Sequence, residues 1–293
     1  MSKSHRLRPV AVALLLALVL TSCAGGTHRP FFRRHKQVTG TPPVLKVATR
    51  DELNAIIART YNAVHSFQAT NVDLTASSGN VHQADIKDYP ALSGIILFRK
   101  PDGIRVQATL LGALAFDMVS DGTRFRVFLR KGSLFFEGLN SVPATSANKM
   151  ENLRPEAFLS SMLIPPWDPA TESVMLKDDT DEDDALYRLE FNRKAKDGTP
   201  IPGREVLFDR EDLSIVRQKV WDADGNIVSD TAYSKWQMFG GVPFPAHIDI
   251  NRRIDGYGVA IEIDKDKMQM NKDLTDEQFV LEQPEGSTRR VIE

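Results

Sequence analysis

The sequence predicts a mainly β protein, in which a large, curved antiparallel sheet of about 11–13 strands forms an incomplete barrel with helices packed over its concave face. Three observations favour this fold class. Apolar and polar residues alternate through most of the chain after Phe67, turn-forming Asp-Gly and Lys-Gly pairs separate the alternating runs, and only two segments have a helical period. No βαβ unit, internal repeat or linker interrupts the pattern, so residues 49–293 are predicted to form a single domain.

The first element of this domain is predicted to be a helix. Thr49 and Glu52 have the spacing of a capping box, and apolar residues then recur at helical intervals as far as Val64. A second helix is predicted over residues 154–163, where Pro155 suits the first turn and the apolar residues form one stripe. Each helix therefore offers an apolar face that can cover a sheet.

Strands are predicted where the period changes to two. Asp102-Gly103, Asp121-Gly122, Lys131-Gly132 and Asp224-Gly225 mark hairpin turns between them. The candidate strands are 69–75, 93–99, 104–110, 115–120, 123–130, 133–137, 172–177, 185–193, 203–209, 214–221, 227–236, 246–253 and 257–268.

A strongly curved sheet covered by only two helices is difficult to fill with side chains, so the fold class predicts an apolar cavity. Each candidate lining residue could equally be ordinary core, and the sequence leaves both interpretations open. The candidates are Ile57, Tyr61, Val106, Met118, Phe125, Val127, Leu129, Phe158, Met162, Phe191 and Ile261.

The N-terminus predicts export and lipidation. Positive charges precede an apolar run, Val10 to Leu20, which is too short to span a bilayer. The run ends in "LTSC", which resembles the bacterial lipobox, and Cys23 is the only cysteine of the chain. Residues 1–22 are therefore predicted to be a lipoprotein signal peptide, and residues 23–48 an acylated N-terminus (with palmitate on Cys23) and a basic flexible tether. The alternative is an ordinary secretory signal with a chance cysteine.

The stretch "ATLLGALAF" is unusual for a connection between two strands. Such connections normally reach water and carry polar residues, but this one carries Leu110, Leu111 and Leu114 around Gly112. The pattern predicts a membrane-facing loop, because leucines exposed at a strand corner can enter the acyl-headgroup boundary of a bilayer. The alternative is that Leu110 and Leu114 fold back onto the core.

The order of elements resembles the LolA/LolB superfamily of periplasmic lipoprotein carriers. The resemblance covers about residues 50–286 and includes "LFRKPDGIRV", the mid-chain helix and the closing "NKDLTDEQFVLEQPEG". The lipobox and the leucine loop are most similar to the outer-membrane acceptors of the LolB type. The "FVLEQPEG" ending is more similar to LolA-like proteins, and the long basic tether and the acidic "KDDTDEDD" depart from both.

The resemblance implies a lipid-anchored protein on the periplasmic face of the outer membrane, where it binds acyl chains of lipoproteins or lipids and takes part in their transfer to that membrane. It implies a monomer that needs no cofactor and receives its cargo from a soluble LolA-type carrier or from another export system. The alternative is a non-enzymatic interaction subunit of an envelope assembly, with a core filled by side chains.

The sequence carries none of the common catalytic or metal-binding patterns. It contains no GxSxG, HExxH, P-loop, GxGxxG or CxxC, and His65, His82 and His247 are isolated. The acidic run 178–184 lacks the glycine and final glutamate of an EF-hand loop and is interpreted as a solvated turn. The excess of acidic residues after residue 48 argues against nucleic acid as a partner. We therefore expect neither enzymatic activity nor a metal site.

Overall fold

The structure is a computed structural model, which describes residues 44–80, 85–141, 152–181, 183–195 and 197–292. The predicted signal peptide, Cys23 and most of the predicted tether lie outside these ranges, as does His82. All of the described residues belong to one compact unit. None of the helices in these ranges is long and apolar enough to cross a membrane.

Both predicted helices are confirmed. Helix α1 spans Arg50–Ala63, and its capping box forms as expected: Thr49 N donates to Glu52 Oε2 at 2.7 Å, and Glu52 N donates to Thr49 Oγ1 at 3.3 Å. Helix α2 spans Pro155–Met162 and has proline in its first turn. Each helix presents its apolar residues to the sheet, because they recur on one side of the helix axis.

The predicted strands are confirmed in approximate position, and three further short strands, Asp85–Asp88, Met268–Met270 and Thr288–Ile292, join them. Two short 3₁₀ helices, Lys265–Lys267 and Asp276–Phe279, lie near the C-terminus. The strands are β1 Ser66–Asn80, β2 Asp85–Asp88, β3 Leu92–Arg99, β4 Gly103–Leu110, β5 Ala113–Asp121, β6 Arg124–Leu129, β7 Leu134–Leu139, β8 Glu172–Asp178, β9 Leu186–Lys194, β10 Pro200–Asp209, β11 Ile215–Trp221, β12 Ile227–Phe239, β13 Val242–Arg252, β14 Tyr257–Ile263, β15 Met268–Met270 and β16 Thr288–Ile292.

All of these strands belong to one 16-stranded sheet, which confirms the predicted fold class. The order is β16-β7-β6-β5-β4-β3-β1-β14-β13-β12-β11-β10-β9-β8, with β2 and β15 paired to β1. The first strand is therefore central, between β3 and β14. Neighbours are antiparallel except β16, which pairs with β7 in parallel. The two end strands do not pair with each other, so the curved sheet stays open.

The main core lies between the concave face of the sheet and the two helices. Alternate residues of the strands point into it, as in β6, where Phe125 and Val127 are fully buried. Leu53 and Ile57 of α1 and Phe158 of α2 complete the same cluster. Burial of each such side chain stabilises the fold by about 1.5–3 kcal/mol, so the apolar face of each helix fixes its position.

The opposite, convex face is covered over β3–β7 by residues 271–287, which we call the C-terminal strap. Leu274 and Phe279 of the strap pack on Leu97, and Leu281 packs on the outward side chains of β5–β7. The strap joins β15, beside β1, to β16, beside β7. It therefore spans one half of the sheet from the outside.

Three arginines on neighbouring strands hold the strap by its backbone. Arg99 Nη1 donates to the Leu274 carbonyl at 2.8 Å, and Arg105 Nη1 donates to the Gln278 carbonyl at 3.0 Å. Arg126 Nη1 donates to the Leu281 carbonyl at 3.4 Å. These bonds are charge-assisted and satisfy backbone carbonyls of the strap, so they are stronger than bonds between neutral groups.

Candidate functional site

The structure brings the predicted cavity residues together in one core cluster. All of them except Tyr61 are at most 7% exposed. Tyr61 is half-buried at the end of α1, and Lys100 Nζ lies 3.8 Å from the centre of its ring. Close packing explains this burial without a ligand, so ligand contact by these residues stays a prediction. The buried members are Ile57, Val106, Met118, Phe125, Val127, Leu129, Phe158, Met162, Phe191 and Ile261.

An apolar cleft lies where α1, the segment after α2 and strands β11–β13 meet. Its cavity volume is about 20 Å³, which is room for about one water molecule. Ile57 and Met162 are the only predicted residues on its wall. The full lining is Ile57, Thr60, Met162, Leu163, Ile164, Ile215, Tyr233, Trp236, Phe244 and Pro245. The lining residues that the sequence missed lie on five separate segments of the chain, so no local pattern groups them.

A buried arginine, Arg204 of β10, fastens the segment after α2 to the sheet. Its guanidinium binds Glu172 through Nε and Nη2 at 3.0 and 2.8 Å, and Nη1 and Nη2 donate to the carbonyls of Pro165 and Pro166 at 2.6 and 3.2 Å. It also lies 3.9 Å from the ring centre of Phe191. We call this set of contacts the Arg204 staple. The signal for it is visible in the sequence, because Arg204 is in phase with the inward-facing Val206 and Phe208.

A second buried arginine lies at the start of α2. Arg154 is 6% exposed, and its guanidinium lies 4.7 Å from the ring centre of Phe125. Burial lowers the pKa of this guanidinium, which stays protonated because arginine titrates far above neutral pH. The rings of Phe125 and Phe191, both predicted to line a cavity, are thus each covered by a cation on one face.

Polar contacts also join α2 to the sheet. Tyr233 Oη lies 2.8 Å from the Ser161 carbonyl and 3.0 Å from Gln218 Oε1, and the hydroxyls of Ser161 and Thr231 are 3.0 Å apart. Burial raises the pKa of the Tyr233 phenol far above its ordinary value, because the charged form would be desolvated. This network fixes the last turn of α2 over β12.

The leucine connection forms a two-residue turn between β4 and β5. Leu110 pairs with Ala113, and the two residues between them, Leu111 and Gly112, have positive φ values of 50° and 79°. Turns of this kind favour asparagine or glycine, because a side chain at positive φ is strained. Leu111 is nevertheless 99% exposed and contacts no core residue.

The neighbouring leucines differ in exposure. Leu110 is 42% exposed, whereas Leu114 is half-buried and packs on the convex cluster of Val119, Phe128 and Phe135. Leu114 points that way because side chains of a strand alternate between faces, and the convex face is apolar beneath the strap. The turn therefore presents Leu111 and, in part, Leu110 to solvent.

The remaining polar candidates form local contacts. His247 Nδ1 lies 2.7 Å from Glu262 Oε2 on the convex face. In the acidic turn, Asp178 binds Arg210, and Asp181 accepts the backbone N–H groups of Asp183 and Asp184. Among the described residues, no group of three or more histidine or carboxylate side chains is arranged to hold a metal ion.

The end of the predicted tether is in contact with the domain. Lys46 N donates to the Arg210 carbonyl at 2.7 Å, and Ala48 is buried in the main core. Arg210 also binds Asp178, so the described chain begins beside the acidic turn.

No protein-family model and no curated protein matches this sequence. Among solved structures, the fold is similar to a LolA superfamily protein from Nitrosomonas europaea, at TM-score 0.49 and 13% identity, over 80% of this chain and 99% of that one. It is similar to a DUF1329 family protein from Desulfovibrio piger, at TM-score 0.49 and 13% identity, over 78% and 96%. It is also similar to a domain described as that of an outer membrane lipoprotein-sorting protein from Vibrio parahaemolyticus, at TM-score 0.49 and 9% identity, over 78% and 94%. Likenesses this weak carry no conclusion about the ligand or partners of this chain.

Proposed function

We propose that this chain is a LolB-like, outer-membrane-anchored lipoprotein that binds acyl chains of lipoproteins or lipids and takes part in their transfer to the outer membrane. The observation that carries the proposal is the apolar concave face, on which α1, α2 and the segment after α2 pack and which has an apolar cleft at their junction with β11–β13. The Cys23 lipobox and the exposed Leu111 favour work at a membrane surface.

The proposed site takes acyl chains by displacement of the roof, because the cleft itself has room for about one water molecule. Each methylene transferred from water into an apolar site contributes about 0.8 kcal/mol, so a long acyl chain supplies on the order of 10 kcal/mol. The hydrogen bonds of Ser161 and Tyr233 that hold α2 contribute about 0.5–1.5 kcal/mol each. Phe158 and Met162 of α2 are buried as well and contribute about 1.5–3 kcal/mol each. Acyl-chain binding is of the size needed to offset the loss of these hydrogen bonds and of this burial together.

Transfer in this proposal is non-enzymatic and needs no cofactor. The acyl chain moves to whichever apolar environment binds it more strongly, from a soluble LolA-type carrier or another export system through this monomeric protein to the bilayer. An acyl chain bound under the roof and one in a membrane differ little in solvation, so small differences in contact decide the direction.

A second candidate is an interaction subunit with a filled core. The small cleft and the arginines that cover Phe125 and Phe191 favour it, because these rings already have partners.

One experiment separates the two. Residues 43–293 are purified without detergent from a periplasmic expression, and their organic extract is analysed by mass spectrometry, with a pyrene-labelled fatty acid as a direct probe. Thr60→Trp should fill the cleft and abolish lipid retention and probe binding, because Thr60 lines it. Arg59→Trp, on the exposed side of the same helix, is the matched control and should retain both. An empty wild-type protein that also fails to bind the probe would favour the filled-core subunit.

A further inference from the structure

The leucine turn is one of three neighbouring turns at the same end of the sheet. β1 ends beside the starts of β3 and β14, so the β4–β5, β6–β7 and β13–β14 turns all lie at that end. Strands are about 4.8 Å apart, which places the three turns within an arc of roughly 30 Å. We call residues 110–113, 130–133 and 253–256 the leucine rim.

The leucine rim combines exposed apolar and basic side chains. Leu110, Leu111 and Ile254 are 42%, 99% and 49% exposed. Arg130, Lys131 and Arg253 are also exposed. The one acidic residue of the three turns, Asp255, is 4% exposed and binds Arg252 at 2.7 Å, so every exposed charge of these turns is positive.

Charged side chains of both signs are exposed further along the same end of the sheet. The β11–β12 turn exposes Asp224, and the β9–β10 connection exposes Asp197 close to Lys194, the last residue of β9. Two exposed carboxylates also flank the leucine rim, Asp88 of β2 and Glu285 of the strap. Within the leucine rim itself, by contrast, the exposed charges are all positive and lie beside exposed leucines.

The position of Leu111 is unfavourable in two respects within the isolated protein. Its positive φ costs about 1–2 kcal/mol relative to the right-handed region, and its side chain buries no surface. Leu213 also has a positive φ, 67°, but it packs on the main core, which offsets the strain. A strained, exposed leucine gains burial only from an external apolar phase, and the adjacent basic residues fit an anionic one.

We infer that the leucine rim is a docking surface for anionic phospholipid bilayers, in which Leu110, Leu111 and Ile254 enter the interface while Arg130, Lys131 and Arg253 bind headgroup phosphates and other anionic headgroups. The inference rests on the proposed function, since it supplies the orientation in which the acyl-binding domain meets the membrane. It adds the class of lipid and the residues that select it.

The test uses the full acylated chain in phosphatidylcholine vesicles with and without phosphatidylglycerol. With Cys23 acylated, a single introduced cysteine at Ala113 takes an environment-sensitive fluorophore, and lipid-borne quenchers report its immersion. Asp224→Cys, in the β11–β12 turn at the same end of the sheet, is the control site. The Arg130→Gln, Lys131→Gln, Arg253→Gln variant removes the rim charges, and Arg124→Gln, Lys265→Gln, Lys267→Gln removes three charges from the opposite end.

We expect the label at residue 113 to be immersed in anionic vesicles and the label at residue 224 to remain in water. Each basic residue near an anionic surface contributes enough that loss of three weakens docking about a hundredfold, whereas the control triple variant leaves it unchanged. Equal immersion in neutral and anionic vesicles, or no effect of the rim variant, would overturn the inference. So would a label at residue 113 that stays in water. Each of these results leaves the lipid-extraction test of the proposed function unaffected, so the two can fail separately.

Discussion

Replacement of Arg204 by methionine should destabilise the domain strongly, although Arg204 lies in neither helix of the roof. The Arg204 and Glu172 side chains are 8% and 15% exposed, and their ion pair is bidentate. The variant leaves the Glu172 carboxylate without its partner and removes the donors to the Pro165 and Pro166 carbonyls. Loss of one member of a buried pair costs about 3–5 kcal/mol, which is a large part of the 5–15 kcal/mol typical of a domain.

The same geometry predicts partial rescue. In the Arg204→Met, Glu172→Met double variant no buried charge is left unpaired, so the remaining cost is that of the two proline carbonyls, about 1–3 kcal/mol. The double variant should therefore be more stable than Arg204→Met. Arg210→Met is the matched control, because Arg210 also binds a carboxylate and lies 4.5 Å from the ring centre of Tyr187. Its partner Asp178 is 53% exposed, and exposed pairs contribute less than about 1 kcal/mol.

The measurement is equilibrium urea unfolding of residues 43–293, followed by tryptophan fluorescence. Trp167 reports on the Arg204 staple directly, since its indole N–H donates to the Glu172 carbonyl at 3.0 Å. Equal losses for Arg204→Met and Arg210→Met, or a double variant less stable than Arg204→Met, would refute the reasoning that burial makes this pair important.

Two further predictions concern the alkaline limb of stability and the strap. Burial raises the pKa of Tyr257 to about 12. Its stabilising contribution is therefore present below the unfolded pKa of about 10 and is lost as the pH rises through 12. Tyr257→Phe should flatten the fall of the free energy of unfolding with pH in this range, and an unchanged slope would contradict the assignment. Phe279 is 7% exposed, so Phe279→Ala should cost about 3 kcal/mol and increase amide exchange in β16, whereas Val280→Ala, at a 47% exposed position, should change stability by no more than about 0.5 kcal/mol.

Local signals in the sequence predicted the helices and most hairpins. The Thr49–Glu52 capping box and the Asp-Gly pairs each act within a few residues, so they can be recognised in the sequence without knowledge of the tertiary structure. The central place of β1 could not be predicted in this way. Val72 pairs with Ile263 on one side and Gly94 on the other, and pairings between strands so distant in sequence leave no local mark.

The sequence contains a sign that the convex face is covered, but the alternation of apolar and polar residues alone did not predict this cover. Phe128 and Phe135 interrupt the polar phase of β6 and β7, which indicates a sheet apolar on both faces and therefore covered on both. The strap that covers them has no regular alternation, because it is held by arginine side chains and a few apolar contacts. Arg204 was missed for a different reason. It lies at an inward-facing position of its strand, but a charged residue is ordinarily expected to face solvent.

The unusual leucine connection was recognised from its composition, and the structure shows which of its leucines are exposed and which are packed. Leu114 turns to the convex cluster and Leu111 to solvent. The sequence could not make this distinction, because it depends on which face of β5 the strap covers.

The strap has a consequence for how the chain acquires its structure. Among the described residues, β16 is the last strand and the partner of β7 on that side of the sheet. During synthesis from the N-terminus, β7 emerges long before residues 288–292, so this edge of β7 stays unpaired until β16 has been made. Unpaired edges are templates for association with other chains. A chain that ended before β16 would therefore expose the edge of β7, and the main hazard of such a truncation is aggregation.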